Sequence, residues 1–137
     1  MENVVRGVMM VSGEAEGDIM YSSEPLSFWG GYDQDTGEII DRRHPLSGQN
    51  ASKKILVIPS SRGSTTTVSV LLEAVMADKS PAAIVIEQVD PYFTLAAVVA
   101  KEVFDMTIPV VLLSQQDFAR LESADHMQVY ADGQIVL

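Results

Sequence analysis

The sequence predicts an α/β domain with a partly parallel central sheet, and three observations carry that prediction. Lys54–Ile58, Ala82–Ile86 and Ile108–Leu113 are apolar, mostly β-branched runs without alternation, the pattern of strands buried on both faces of a parallel sheet. Between them lie Thr66–Ala77 and Phe93–Phe104, long enough and suitably patterned to be helices, so this half reads βαβαβ. The 137 residues are 47% hydrophobic and 20% charged, which is enough apolar surface for one core and excludes a disordered or collagen-like chain.

In order along the chain, residues 1–50 carry nine acids and three bases and are rich in turn residues. Val4–Val11 and Asp18–Tyr21 read as strands, separated by a Gly/Glu turn at Ser12–Gly17. Ser27–Tyr32 leads into a turn at Asp33–Gly37 and a short strand at Glu38–Asp41; Pro45 and Gly48 then end the unit before the polar Gln49–Ser52. In the second helix, Asp90-Pro91 is a start signal, because proline is favoured at the first helical position. Its Leu95, Val98, Val99 and Glu102–Val103 follow i, i+3, i+4 spacing and are expected to form the buried face. A third helix is expected at Gln115–Ser123 with Ser114 as N-cap. Met127–Ala131 and Gln134–Leu137 read as closing strands hinged at Asp132-Gly133. Residues 1–137 are expected to form a single domain.

Charge and cysteine content exclude several functions. Nine Lys and Arg against nineteen Asp and Glu give a net charge of −10, which repels phosphate backbones and anionic lipids, so neither nucleic acid nor membrane is an expected partner. With no cysteine, the chain can form no disulfide, thiolate nucleophile or self-ligated iron–sulfur cluster. No apolar run approaches the roughly 18 residues of a membrane span, and nothing resembles a signal peptide; the expected location is the cytoplasm. Asp33 and Asp35 are spaced like the opening of a calcium loop, but the twelfth-position Glu is missing and the glycine is misplaced, so no metal site is expected.

The chemistry gathers at Ile58-Pro59-Ser60-Ser61-Arg62-Gly63-Ser64-Thr65-Thr66-Thr67. This segment follows a buried strand and opens a helix, the place where open α/β sheets bind ligands. A helix N-terminus offers free N–H groups and about half a positive charge. Arg62 adds a bidentate donor matched to carboxylate or phosphate. The competing interpretation is an ordinary Ser/Thr-rich cap beside a solvated arginine. The GxxxxGK[ST] phosphate loop and the GxSxG elbow are both absent.

Ser60-Ser61-Arg62 resembles the Ser-Ser-Arg of the aconitase swivelling domain. Two longer stretches, Ser23–Gly31 continuing through Thr36–Asp41 to His44–Gly48, and Pro59–Ser64, resemble the swivelling domain of the aconitase X family. Pro81–Val85 and Ile108–Val111 fit the same pattern, so the resemblance covers nearly the whole chain. It implies a swivelling β/β/α domain, similar to aconitase domain 4, acting as the small subunit of a heteromeric hydro-lyase. The implied substrate is a small anionic hydroxy acid. Split members of the family dehydrate (R)-5-phosphomevalonate to trans-anhydromevalonate 5-phosphate in an archaeal-type mevalonate pathway, and single-chain relatives act on cis-3-hydroxyproline. The implied partner is a large subunit that carries a [4Fe–4S] cluster, in keeping with the missing cysteines.

The resemblance also implies a serine base and an arginine that holds the substrate carboxylate. Alignment on Ser-Ser-Arg points to Ser60, whereas the Arg-Gly-Ser pattern of aconitase X-like chains points to Ser64; Ser64 is preferred and Ser60 stays open. Arg62, Ser61, Gly63 and Thr65 are the expected substrate-binding residues, Gly63 because it lets the backbone approach a ligand. Phe28 and Trp29 fit a core as well as a pocket rim or intersubunit surface. His44 is a secondary candidate as a donor to the substrate anion, and His126 has no assigned role. The alternative function is a non-catalytic anion-binding or regulatory swivelling module; a phosphohistidine carrier is disfavoured because Arg43-His44-Pro45 lacks the glycine-rich setting.

Overall fold

The computed structural model describes residues 3–137. The strands are β1 (Val4–Arg6), β2 (Val8–Val11), β3 (Ala15–Tyr21), β4 (Ile55–Val57), β5 (Ala83–Ile86), β6 (Val110–Leu112), β7 (His126–Val129) and β8 (Gln134–Val136). The helices are α1 (Thr66–Met76), α2 (Pro91–Phe104) and α3 (Gln115–Arg120), the last extended by a 3₁₀ turn at Leu121–Ser123. Across the sheet the order is β1-β8-β7-β3-β4-β5-β6-β2. Strands β3 to β6 run parallel, with Leu56 opposite both Met20 and Ile84; the remaining pairings are antiparallel. This is the expected α/β swivelling architecture.

The buried runs behave as their composition dictates. Along β4 and β5, Leu56, Ile84 and Ile86 enter a cluster under α1 and α2, whereas Ile55, Val57, Ala83 and Val85 enter a second cluster with Phe118, Leu121 and Met127. Both faces of these strands are therefore dry, which is why polar residues never alternate into them.

The expected single strand at Val4–Val11 is in fact two strands on opposite edges of the sheet, separated only by Gly7. One residue spans the two edges, so the sheet curls into a near-barrel. Gly7 N–H donates to Gly133 O at 2.8 Å. A Cβ on Gly7 would lie 2.4 Å from Val111 Cγ1, so only glycine permits this approach.

Three further expectations change. Strand β3 begins at Ala15 rather than Asp18, because Ala15–Asp18 pair with β7 before Ile19–Tyr21 pair with β4. Glu38–Asp41 forms no regular strand; Tyr32–Ile39 and Glu38–Asn50 make isolated bridges. Helix α2 buries Phe93, Ala96, Ala97 and Ala100, leaving Leu95, Val98 and Val103 exposed. The expected apolar face is thus turned outward. Among the described residues, no helix is long and apolar enough to cross a membrane.

Candidate active site

The loop from Pro59 to Thr65 leaves the carboxyl end of β4 and enters α1, as the sequence order requires. Its first half is bound to the segment that follows β3. Ser22 N–H donates to Val57 O, and Leu26 N–H to Ser60 O at 3.3 Å, while Arg62 N–H returns a bond to Leu26 O at 3.2 Å. Phe28, fully buried, stacks on Tyr32 at 4.8 Å and meets Phe93 edge-on at 5.1 Å. It is a core residue that fastens this segment to α2. Trp29 next to it is 71% exposed.

Ser60 is half-buried, and its Oγ donates to Ser61 O at 2.8 Å. Ser61 is buried, and its hydroxyl is engaged on two sides: Oγ donates to Asp90 Oδ2 at 2.7 Å and accepts from Gly63 N at 3.2 Å. Arg62 is exposed and its guanidinium pairs with no described residue. Gly63 at φ 91° and Ser64 at φ 77° turn the backbone left-handed immediately before α1. Glycine adopts that conformation freely; serine does not. The other non-glycine residues with positive φ are Lys53, Asp78 and Asp105, which lie at turns bordering β4, α1 and α2.

Ser64 is exposed, and its Oγ lies in hydrogen-bonding contact with Thr66 Oγ1 and 3.4 Å from Thr66 N. Thr65 is the N-cap of α1 but makes no side-chain cap bond. The N–H groups of Ser64 and Thr65 have no partner among the described residues. Successive free N–H groups in a left-handed turn at a helix N-terminus form an anion-binding concavity. Arg62, Ser60 and Gly63 line a cleft of about 410 Å³ together with Pro25, Val89 and Tyr92. Ser64 and Thr65 lie outside that lining. A cleft of about 490 Å³ between Asn3, Ser123, His126 and Leu137 contains no residue of this loop.

Sequence reasoning did not single out Asp90 beyond its role as a helix start. It is 3% exposed; Oδ1 caps α2 by accepting from Tyr92 N at 2.9 Å and Phe93 N at 3.0 Å, while Oδ2 takes both Ser61 N and Ser61 Oγ at 2.7 Å. The Asp-Pro pair was the visible signal for the cap; nothing in it marked the second oxygen as a clamp on a loop 29 residues away.

The two histidines are accounted for. His44 is buried; its Nδ1 accepts Leu46 N–H at 3.1 Å, so its Nε2 donates to Glu24 O at 3.2 Å. Both nitrogens hold backbone, a structural role in keeping with a histidine in a turn. His126 lies exposed on β7 between Glu16 and Asp18 of β3. Hydrogen bonds from its ring to Glu16 first, then Asp18, raise its pKa above the ordinary 6.5. Burial pushes the Tyr32 phenol up as it donates to Lys79 O at 2.6 Å.

No described residues form a group of three or more metal-capable side chains, and a chain without cysteine offers no thiolate for an iron–sulfur cluster. This chain does not fit such a group on its own.

Comparison with known proteins places this architecture. Residues 4–137 match the family described as Aconitase X swivel domain. Over 124 residues the chain is 43% identical to the cis-3-hydroxy-L-proline dehydratase of Hypocrea jecorina, covering 90% of this chain and 21% of that protein. The chain thus spans about a fifth of that relative's length. It is 36% identical to the phosphomevalonate dehydratase small subunit of Methanothermobacter thermautotrophicus, covering 88% of each. The crystal structure of Thermococcus kodakaraensis aconitase X in its holo form superposes with a TM-score of 0.83 at 29% identity, covering 98% of both chains.

Proposed function

The chain belongs to the aconitase X swivel-domain family, and from that premise we propose that it is one domain, residues 1–137, serving as the small subunit of a cytoplasmic hydro-lyase. Its proposed substrate is (R)-5-phosphomevalonate, converted to trans-anhydromevalonate 5-phosphate. The observation that carries this is the loop itself: a strained serine beside free N–H groups and an unpaired arginine. An alignment running over 88% of both this chain and a phosphomevalonate dehydratase small subunit supports the substrate. A second reading, dehydration of cis-3-hydroxyproline, is favoured by 43% identity to enzymes of that name.

In the proposed reaction, the C–H bond beside the substrate carboxylate breaks, its electron pair becomes the new double bond, and the hydroxyl on the next carbon leaves as hydroxide, which the proton taken by the base finally converts to water. Ser64 Oγ takes the proton, with Ser60 the alternative base. A serine is a weak base at its ordinary pKa. The N-terminus of α1, the Thr66 hydroxyl and the Arg62 charge all favour the alkoxide that a base must become. Arg62 grips the carboxylate with its planar fork, and the N–H groups of Ser64 and Thr65, beside Gly63, donate to the remaining anionic oxygens. Ser61 contributes by holding the loop. A [4Fe–4S] cluster, if the complex contains one, is ligated by the large subunit, since this chain supplies no cysteine.

The test is co-expression with a candidate large subunit and anaerobic assay on phosphomevalonate and cis-3-hydroxyproline. The expected result is co-purification, with turnover of phosphomevalonate only by the complex and no iron–sulfur absorbance in this chain alone. Turnover of hydroxyproline alone transfers the assignment to the second reading. Absence of both co-purification and turnover removes the dehydratase assignment.

A further inference from the structure

We propose that Asp90 is the positioning residue of this loop: acting through Ser61 and Gly63, it fixes where Ser64 stands. This rests on the reading of Ser64 as the base. One carboxylate oxygen is enough to cap α2, and Oδ1 does so alone. The second, buried beside it, is fully occupied with the loop, accepting Ser61 N–H and Ser61 O–H at 2.7 Å each. Because its O–H donates to a carboxylate, the Ser61 oxygen is a stronger acceptor, and it receives Gly63 N–H at 3.2 Å. The relay ends one peptide before Ser64, where the backbone turns left-handed at both Gly63 and Ser64. Arg62 is secured separately by its own N–H bond to Leu26 O. Cutting the relay therefore displaces the base and the N–H groups beside it, while leaving the Arg62 grip in place.

Two variants cut it at different points. Asp90→Asn keeps one carbonyl oxygen for the helix cap but presents an NH₂ to Ser61 N–H and O–H, which both need an acceptor. Ser61→Ala leaves the cap and the Ser61 N–H bond to Asp90 intact and removes the hydroxyl, with its bond to Asp90 Oδ2 and its link to Gly63. In the complex, each variant is expected to lower kcat about a hundredfold, the usual scale for a misplaced catalytic group, with KM raised by a much smaller factor because Arg62 keeps its place. The double variant should be no slower than the slower single one, because both break the same chain. Ser61→Thr, which restores the hydroxyl, should recover most of kcat, a rescue that a loss of folded protein would not show.

Amide hydrogen exchange on this chain alone gives a readout independent of activity. Exchange at Gly63 should accelerate at least about tenfold in Ser61→Ala, while Tyr92 and Phe93 stay protected, since local opening exposes only the freed group. Unchanged Gly63 exchange, unchanged kcat, or multiplicative losses in the double variant would each overturn the relay. If the wild-type complex dehydrates no hydroxy acid, the proposed function fails, and Gly63 exchange alone then decides whether Asp90 positions the loop.

Discussion

Ser64 keeps a left-handed backbone at φ 77°, a conformation that costs a residue with a Cβ about 1–2 kcal/mol. Replacing it separates conformation from chemistry. Ser64→Gly should raise stability by about 1 kcal/mol in urea unfolding, because glycine carries no such cost, yet abolish turnover by the complex. Ser64→Ala should abolish turnover without the gain in stability. Normal activity in Ser64→Ala with collapse in Ser60→Ala would move the base to Ser60, and normal activity in both would end the serine mechanism. The loop's position was legible in the sequence, since a strand, a Ser/Thr-rich turn and a helix follow one another directly. Its internal wiring was not. Whether Ser61 faces ligand or protein depends on Asp90, 29 residues further on, and no local pattern records that contact.

Helix α2 shows a different limit. Large side chains at helical spacing marked Leu95, Val98 and Val103 as its inner face, yet Ala96, Ala97 and Ala100 occupy the core beside Phe93. Helices α1 and α2 pack against each other, and small residues allow that close approach; hydropathy counts size, whereas packing here selects for its absence. Strands β4, β5 and β6 were legible because burial on two faces leaves an unmistakable composition. Between β3 and β7, the raised pKa of His126 makes a pH-dependent contact. Its folded pKa lies above the unfolded 6.5, so the stabilisation is complete below that value and disappears as pH rises through the folded pKa. The difference in melting temperature between the wild type and His126→Gln should accordingly be largest near pH 5 and fade above neutrality; a difference that grows with pH would contradict this. Because the site is fully exposed, the effect should also weaken with salt.

At the scale of the whole molecule, Gly7 joins the two edges of the sheet. Gly7→Ala would press a Cβ to within 2.4 Å of Val111 Cγ1, and overpacking of this kind costs about 1–3 kcal/mol; calorimetry of the isolated chain checks it. The sequence showed Gly7 only as one glycine within an apolar run, because closure depends on which strands stand at the two edges. Closure also has a consequence during synthesis. Arg6 meets Asp132 across 126 residues, and β1 pairs with nothing but β8. On the ribosome, Val4–Arg6 must therefore wait, without their sheet partner, until Gln134–Val136 are made. Once Leu113 has left the ribosome, the nascent chain holds β2 and its partner β6, but β1 has no strand to join until β8 follows. Protease should then cut ahead of Gly7 while sparing β2, and a chaperone that takes short extended apolar segments would find its substrate in Val4–Arg6 until β8 is made.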